Sequence, residues 1–323
     1  MASAIPGPLR GQGKPKRVAI HIISLEQPRP LEERREYESR FEAQGFRLGR
    51  DVEVLWFETI FRKNGGSTID EGAAAMLSAR PDVMIGGDLV VGALLKLGST
   101  IPMVVNLGDG DPVDLGLARS IAHPGLNFTG IYAAPFETHV KRMQILKQVQ
   151  PNLSCVGWIA FRPQLMWFPT FERAAKAAGL GVEKIIPEWS ERPRFDRVRR
   201  EIAELRRKGC AAAHFTSGID ILVEAVTKAA LESRLLLSYS GADEWVATEG
   251  VLFTYQAVMS ATGYANVKRV VPITARILRG ERPGDIAFEG PAGSSLVVNR
   301  RTAARIGVTF PPEVLLLADR VIE

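Results

Sequence analysis

The chain has 323 residues, a length that allows two domains of moderate size or one large domain. Its 46% hydrophobic and 24% charged residues are typical of a globular protein with a buried core, and no apolar run has the length of a membrane helix. The net charge of +5 does not indicate a nucleic-acid-binding protein, because Arg10, Lys14, Lys16 and Arg17 lie together in a leader without acidic residues.

The first 131 residues alternate between short apolar runs and amphipathic segments. Residues 1–16 predict a disordered leader and lack the apolar stretch of a secretion signal. Thr68 and Glu71 have the spacing of a capping box at a helix start. The alternation is typical of a parallel sheet with helices on both faces. Predicted strands are 17–24, 51–57, 82–86, 102–105 and a short one ending at 131; predicted helices are 31–44, 68–80, 87–97 and 112–121.

The alternation starts again after residue 131. Two series of similar length predict two α/β domains. The basic run 192–208 is interleaved with acidic residues and therefore predicts a solvated helix face. Predicted strands are 154–160, 182–186, 211–216, 235–239, 251–255 and 295–299. Predicted helices are 135–148, 168–178, 195–208, 219–233, a short one ending at 245, 258–278 and a C-terminal one.

Known catalytic and cofactor motifs are missing from the strand exits. The sequence has no glycine-rich dinucleotide fingerprint, no Walker motif and no nucleophile elbow, so no cofactor is expected. The four histidines, His21, His123, His139 and His214, lack the spacing of metal ligands, so no metal site is expected either. We expect His21 and His214 to be core residues with hydrogen-bond partners.

The two cysteines, Cys155 and Cys210, lie in apolar runs that resemble strands. Free cysteine packs as a small hydrophobic residue, so this setting favours two buried, inert thiols. A disulfide between them stays open as an alternative, because spacing alone does not decide cysteine pairing.

Candidate ligand-binding residues follow the predicted strands, because parallel α/β sheets bind ligands at the carboxyl ends of their strands. Small and hydroxyl residues at helix starts suit oxyanions, although each is also an ordinary cap. The aromatic group Phe161, Trp167, Phe168 and Phe171 could stack on a planar ligand or form a core stripe. The candidates are Ser24, Gly87, Asp88, Asp109, Asp111, Phe161, Thr216, Ser217, Ser240, Glu244 and Tyr255.

An acidic turn at Asp109 and Asp111 lies between a predicted strand and a predicted helix. Asp111 suits the N-cap position, with Pro112 as the first helical residue. Alternatively, one carboxylate faces a cleft and binds an ammonium or hydroxyl group of a ligand. A third hypothesis, a pair of acid/base carboxylates, has no catalytic partner in the sequence, so no catalytic residue is expected.

Two long blocks of sequence resemble the tryptophan/tyrosine-transport-like substrate-binding proteins of ABC transporters. The first is 101–131, with its DPVDLGL, a Pro-Gly turn and a closing N-x-TGI; the second is 296–323. The VLFTYQ and ILRGERPGDI stretches between them also fit. The resemblance implies the type I periplasmic binding-protein fold, in which three hinge crossovers join two doubly wound α/β lobes. Here 17–131 plus 256–287 would form the first lobe, and 132–255 plus 288–323 the second.

The resemblance also implies a function. A monomer would capture a small, aromatic or amino-acid-like ligand by hinge closure and deliver it to an ABC permease in the membrane, without catalysis, cofactor, metal or nucleic acid. Its location would be the periplasm, with the cytoplasm as the alternative because the leader lacks a signal. Asp88 stands where the family tends to have a small hydroxyl residue, and it would repel an anionic ligand. A hydroxylated, neutral or cationic planar ligand is therefore expected.

Two other functions stay open. The first is an intracellular ligand-binding sensor with the same fold. The second is an α/β enzyme that uses Asp109 or Asp111 as a base.

Overall fold

The computed structural model describes residues 14–24, 29–60, 67–160, 162–186, 195–216, 220–240, 246–247, 250–257 and 266–323. Strands in this part of the chain form a five-stranded sheet and a seven-stranded sheet. Each sheet has a hydrophobic cluster on each of its two faces. We call the first sheet with its helices lobe one and the second sheet with its helices lobe two.

Lobe one contains a fully parallel sheet with the strand order β2-β1-β3-β4-β5. In β1, Val18 and Ile20 face one hydrophobic cluster while Ala19 faces the other, as the two-residue period of a strand requires. Helices α1 and α8 cover the first face, and α2 and α3 cover the second. The strands are β1 (Lys16–Ser24), β2 (Val52–Ile60), β3 (Val83–Gly87), β4 (Met103–Leu107) and β5 (Phe128–Tyr132); the helices are α1 (Arg29–Ala43), α2 (Ile69–Ser78), α3 (Asp88–Lys96) and α8 (Val267–Leu278).

Lobe two contains the strand order β12-β11-β10-β9-β8-β6-β7, which is parallel except where β10 meets β11. Helices α4, α5 and α9 cover one face, and α6 and α7 cover the other. The strands are β6 (Cys155–Ile159), β7 (Gly181–Ile185), β8 (Ala212–Phe215), β9 (Leu236–Tyr239), β10 (Phe253–Ala257), β11 (Ser294–Asn299) and β12 (Arg320–Ile322). The helices are α4 (Phe136–Val149), α5 (Phe168–Ala177), α6 (Phe195–Arg207), α7 (Asp220–Glu232), α9 (Arg300–Ile306) and α10 (Pro312–Leu317).

The chain passes between the two sheets three times. It leaves lobe one after β5, returns to it between β10 and α8, and leaves again after Glu289, which bridges to Ile131 of β5. The prediction of two α/β lobes is therefore confirmed. The exact domain boundaries stay a prediction, with residues 1–13 of the expected leader outside the described part and Lys16 already in β1.

Two local predictions in lobe one are wrong. Residues 112–121 do not form a helix: they form a turn that ends at Gly116, whose φ of +71° breaks a helical path. Thr68 precedes α2 but makes no side-chain capping bond, because its Oγ1 accepts instead from the Ile60 amide at 2.9 Å. The predicted short helix ending at 245 lies outside the described residues, as does most of 258–266.

Within the basic run, Phe195–Arg207 form α6, and several cations of the described part of the run are paired. Arg197 contacts Glu201 at 3.0 Å, and Lys208 contacts Glu183 of β7 at 2.6 Å. These ion pairs are partly exposed, so they agree with the predicted solvated helix face.

Cys155 and Cys210 form a disulfide, with their Cα atoms 4.5 Å apart. The favoured expectation of two free thiols is therefore wrong. The reason is the sheet order: β6 and β8 are neighbours, so the residues at their amino ends lie side by side. The sequence did not reveal that adjacency.

Replacing both cysteines with alanine should lower the free energy of unfolding by about 2–4 kcal/mol, because the bridge closes a long loop in the unfolded chain. The two residues are 55 positions apart. Guanidinium denaturation of the native protein and the double variant measures the difference, and the native protein with a reductant serves as the control. A double variant as stable as the oxidised native protein would contradict this account.

Candidate functional site

Side chains from both lobes meet at the carboxyl end of β4. Asp109 follows β4 in lobe one, yet the partners of its carboxylate are Arg142 and His139 of α4, His214 of β8 and Ser240 after β9. All four belong to lobe two. Ligand clefts of parallel α/β sheets lie at this edge, so this junction is the candidate site.

Arg142 and Asp109 form a buried ion pair. The Arg142 Nη1 donates to Asp109 Oδ1 at 2.8 Å, with side-chain exposures of 1% and 3%. The Arg142 Nε donates to the backbone carbonyl of Tyr255 at 2.8 Å. Burial alone would raise the pKa of Asp109, but the Arg142 guanidinium, His139 and His214 outweigh it and hold that pKa well below its usual range.

The two histidines complete the cluster in their neutral form. His139 Nε2 lies 3.0 Å from the Asp109 carbonyl, so it donates there, while Nδ1 accepts from Arg142 at 3.3 Å. His214 contacts Asp109 Oδ2 through Nε2 and Ser238 through Nδ1. Burial lowers the pKa of His139 to about 3 and lowers the pKa of His214 as well. At neutral pH the cluster therefore holds one positive and one negative charge.

Three potential metal ligands converge here. One ligand atom each of Asp109, His139 and His214 lies within 4.8 Å of the others, so the expectation that the histidines do not converge is wrong. However, Arg142 Nη1 lies 3.3 Å from His139 Nδ1 and 3.4 Å from His214 Nε2. The guanidinium thus occupies the centre of the cluster and supplies its positive charge, so we assign no metal.

Asp88 forms a second contact between the lobes. It is the first residue of α3, and its Oδ2 accepts from the Gly108 amide at 2.9 Å. Its Oδ1 accepts from the indole Nε1 of Trp167 in lobe two at 3.0 Å. Burial raises the pKa of Asp88 to about 7, the hydrogen bonds from Gly108, from Trp167 and from its own backbone amide oppose that rise, and the charge of Asp109 adds to it.

The glycines beside Asp109 let Trp167 lie against the loop. A Cβ at Gly110 would lie 3.0 Å from the Trp167 ring and 2.8 Å from Leu115. A Cβ at Gly108 would lie 3.2 Å from the Asp88 carboxylate. Trp167 itself is only 4% exposed, so it packs as part of the interface between the lobes.

The predicted site residues divide into three groups. Asp88, Asp109, Ser240 and Tyr255 come together at the junction, and Gly87 precedes α3 as its extended N-cap residue. The remaining described candidates, Asp111 and Thr216, make other hydrogen bonds. The side chain of Ser24 and the residues Phe161, Ser217 and Glu244 lie outside the described part.

The Asp111 amide lies 3.4 Å from the Thr170 hydroxyl of α5 in lobe two, but its carboxylate and the Thr216 hydroxyl have nearer partners. The Asp111 Oδ1 accepts from the Val113 amide at 2.9 Å, so it caps the turn that replaces the predicted helix. Thr216 is buried, and its hydroxyl lies 3.4 Å from the Ile159 carbonyl. Direct ligand contact stays a prediction for every candidate residue.

Sequence reasoning missed His139 and Arg142 as members of the site, and it did not predict the contact of Trp167 with Asp88. A signal for two of them exists: His139, Arg142, Met143 and Leu146 have the i, i+3, i+4, i+7 spacing of a buried helix face. An arginine on such a face indicates a buried anionic partner. Trp167 and Phe171 are buried in the core of lobe two, which agrees with the core-stripe interpretation of the aromatic group.

Comparison with solved structures decides the fold. A conserved domain protein from Vibrio cholerae O1 biovar El Tor is 20% identical and has a TM-score of 0.66; the match covers 96% of this chain and 100% of that chain. An ABC domain from Streptococcus pneumoniae in complex with L-tryptophan is 16% identical over 96% and 100% of the chains, with a TM-score of 0.67. This chain has the type I periplasmic binding-protein fold.

A ligand-free, open substrate-binding protein with adhesive properties from Clostridium difficile shares the type I fold at 17% identity; the match covers 95% of this chain and 99% of that chain, with a TM-score of 0.54. No protein-family model and no curated protein matches the sequence. In the described part of the type I fold, none of the helices combines the length and the apolar character needed to cross a bilayer.

Proposed function

We propose that this chain is the solute-binding protein of an ABC importer, which captures a small ligand between its two lobes and delivers it to a membrane permease. The observation that carries the proposal is the junction of the lobes, where Asp88 and Asp109 at the strand ends of lobe one contact lobe two. Structures with the same fold include an ABC domain with bound L-tryptophan and a substrate-binding protein, which supports the proposal.

Hinge closure is the mechanism that we propose for capture. The described strands and helices place three chain passages between the lobes, so a few backbone torsions can change the angle between them. A ligand that contacts both lobes stabilises the closed arrangement and shifts the population toward it. The protein would then act as a monomer that presents the closed form to its permease.

The disulfide supports an oxidising compartment, and we therefore propose the periplasm as the location. Disulfides persist in the periplasm and are rare in the cytosol, where thiols are kept reduced. The bond between Cys155 and Cys210 thus favours a transport protein over an intracellular sensor. Finding the protein in the cytosolic fraction with both thiols reduced would favour the sensor.

The enzyme hypothesis names Asp109 or Asp111 as its base, and the contacts of these two carboxylates argue against that role. A general base at neutral pH needs a carboxylate with a pKa near that pH, whereas Asp109 is held ionised by Arg142. The Asp111 carboxylate accepts from the Val113 amide in a turn. The acidic turn is therefore better suited to holding the lobes together than to proton transfer.

Thermal-shift screening tests the proposed function. A ligand present at 100 times its Kd should add ~2.7 kcal/mol to the free energy of unfolding, because it binds only the folded protein. The panel should contain amino acids, aromatic acids, amines, amides, sugars and nucleobases. We expect stabilisation by one chemical class and 1:1 binding by calorimetry without turnover. Uniform absence of stabilisation across the panel would count against the proposal.

A further inference from the structure

We propose that Trp167 is a positioning residue for the ligand cleft: its indole N–H orients the Asp88 carboxylate as an acceptor for a ligand that carries an ammonium, hydroxyl or amide donor. This inference rests on the proposed function, because it assigns roles within the same cleft. It adds a residue from lobe two and a chemical class of ligand.

The first observation is the geometry of the hydrogen bonds to the Asp88 carboxylate. The two Asp88 oxygens accept hydrogen bonds from different donors: Oδ2 from Gly108 in lobe one at 2.9 Å and Oδ1 from Trp167 in lobe two at 3.0 Å. Two donors aimed at two different oxygens fix the rotation of the carboxylate plane. A carboxylate has about four acceptor positions, so roughly two remain for a ligand.

Trp167 and Asp88 differ in how far they are exposed to solvent. Trp167 is 4% exposed, with its ring against Gly108 and Gly110. Asp88 is only partly buried. The indole is therefore covered by the protein, whereas Asp88 is half-buried. Trp167 acts through Asp88 rather than as a stacking surface for the ligand.

Trp167 also influences the charge of the Asp88 carboxyl group. Burial and the neighbouring charge of Asp109 both raise the pKa of Asp88, while the hydrogen bonds from Gly108 and Trp167 lower it. The balance lies at about 7. Removing the indole donor removes one of the hydrogen bonds that lower this pKa, so the carboxyl group would bind its proton at a higher pH. At neutral pH it would then be mostly neutral and would itself become a donor.

The surrounding charges support the choice of ligand class. The charged group that faces Asp88 from the β4 exit is Asp109, whose own charge is balanced by Arg142. Within the described residues, no lysine, arginine or histidine forms an ion pair with Asp88. A ligand carboxylate at this position would be repelled, whereas an ammonium or hydroxyl group would be attracted.

The ligand-free test uses the indole itself. The protein has five tryptophans, so five indole N–H resonances are expected in a nitrogen-15 spectrum. We expect the Trp167 resonance, assigned with Trp167→Phe, to titrate with a midpoint near 7, following Asp88. In Trp167→Phe the Asp88 carboxyl carbon should titrate about one pH unit higher than in the native protein. Trp56→Phe, which alters a tryptophan of β2 that does not contact Asp88, is the matched control and should change neither midpoint.

An unchanged Asp88 midpoint in Trp167→Phe would overturn the inference. Should that variant not fold, the native protein still decides: the absence of any indole resonance that titrates between about pH 5 and pH 9 would overturn it as well.

The ligand test uses three probes that share an indole ring: L-tryptophan, tryptamine and indole-3-propionate. A probe with an ammonium group should bind, and its affinity should fall at least about tenfold in Trp167→Phe at neutral pH, the equivalent of ~1.4 kcal/mol. Binding of indole-3-propionate alone, with equal affinity in both proteins, would overturn the inference while leaving the proposed function intact. If nothing binds in this test or in the wider panel, the proposed function is wrong. The titration of the ligand-free protein then tests by itself whether Trp167 acts on Asp88.

Discussion

Replacing Arg142 with methionine should lower the free energy of unfolding by about 3–5 kcal/mol, because the change leaves a buried carboxylate without its counter-ion. The Asp109 side chain is 3% exposed, so water cannot replace the guanidinium. The same substitution also leaves the Tyr255 carbonyl without the Arg142 Nε donor. Both lost bonds lie where the lobes join, so we expect the lobes to loosen as well.

Arg173→Met is the matched control for this experiment. Arg173 of α5 also pairs across the lobes, with Asp114 at 2.9 Å, but its side chain is 50% exposed. Exposed pairs contribute roughly 0–1 kcal/mol, so this variant should differ little from the native protein. Guanidinium denaturation at neutral pH measures both variants. An Arg142→Met protein as stable as the control variant would refute the buried-pair account.

A double variant separates the interaction between Asp109 and Arg142 from the interactions of each residue with its other neighbours. Asp109→Asn combined with Arg142→Met removes both charges, so it should be more stable than Arg142→Met alone. A double-mutant cycle then gives the coupling energy of the pair.

Lowering the pH from 7 to 4 should destabilise the fold by about 3–6 kcal/mol, because buried histidines must stay neutral in the folded state. Burial lowers the pKa of His21 to about 4 and that of His139 to about 3, and it lowers that of His214 too. In the unfolded chain these groups titrate at about 6.5. The unfolded state therefore binds more protons below that pH, and stability falls as the pH falls. Asp88 works in the opposite direction, because its raised pKa favours protonation of the folded state.

His21→Asn isolates one contribution to this pH dependence. His21 lies in lobe one, far along the chain from the cluster, and contacts Thr59 at 2.7 Å. Asparagine can keep a bond to that hydroxyl and does not titrate. The loss of stability between pH 7 and pH 4 should shrink by about 3 kcal/mol in the variant. Denaturation curves at several pH values measure it, and identical pH profiles for the two proteins would contradict the assignment.

Much of the architecture could be predicted from the sequence, because the spacing of apolar residues and the residues that form turns are properties of short stretches of sequence. The alternation of apolar runs with amphipathic segments located nearly every described strand and helix. The turn at 112–116 was mistaken for a helix because Asp111-Pro112 is also a good helix start, and the sequence alone did not show that Gly116 would adopt a positive φ. Strand β12 was missed because its three residues are too few to show a period.

The candidate site could be predicted only in part, because its partners are distant in sequence. Asp109 and His214 are 105 positions apart, and only the sheet order brings them together. Asp88 and Asp109 were recognisable because both follow strands. Arg142, by contrast, lies in a helix of the other lobe, and its role depends on how the lobes meet.

The three passages between the lobes also bear on how the protein is made. Lobe two is completed by β11 and β12, which come from residues 294–322, next to β10 at residues 253–257. During synthesis on the ribosome, one edge of β10 therefore lacks its hydrogen-bonding partner until β11 has been made. Neither lobe can finish folding before nearly the whole chain has been translated. The order of the chain therefore favours completion of both lobes late in synthesis.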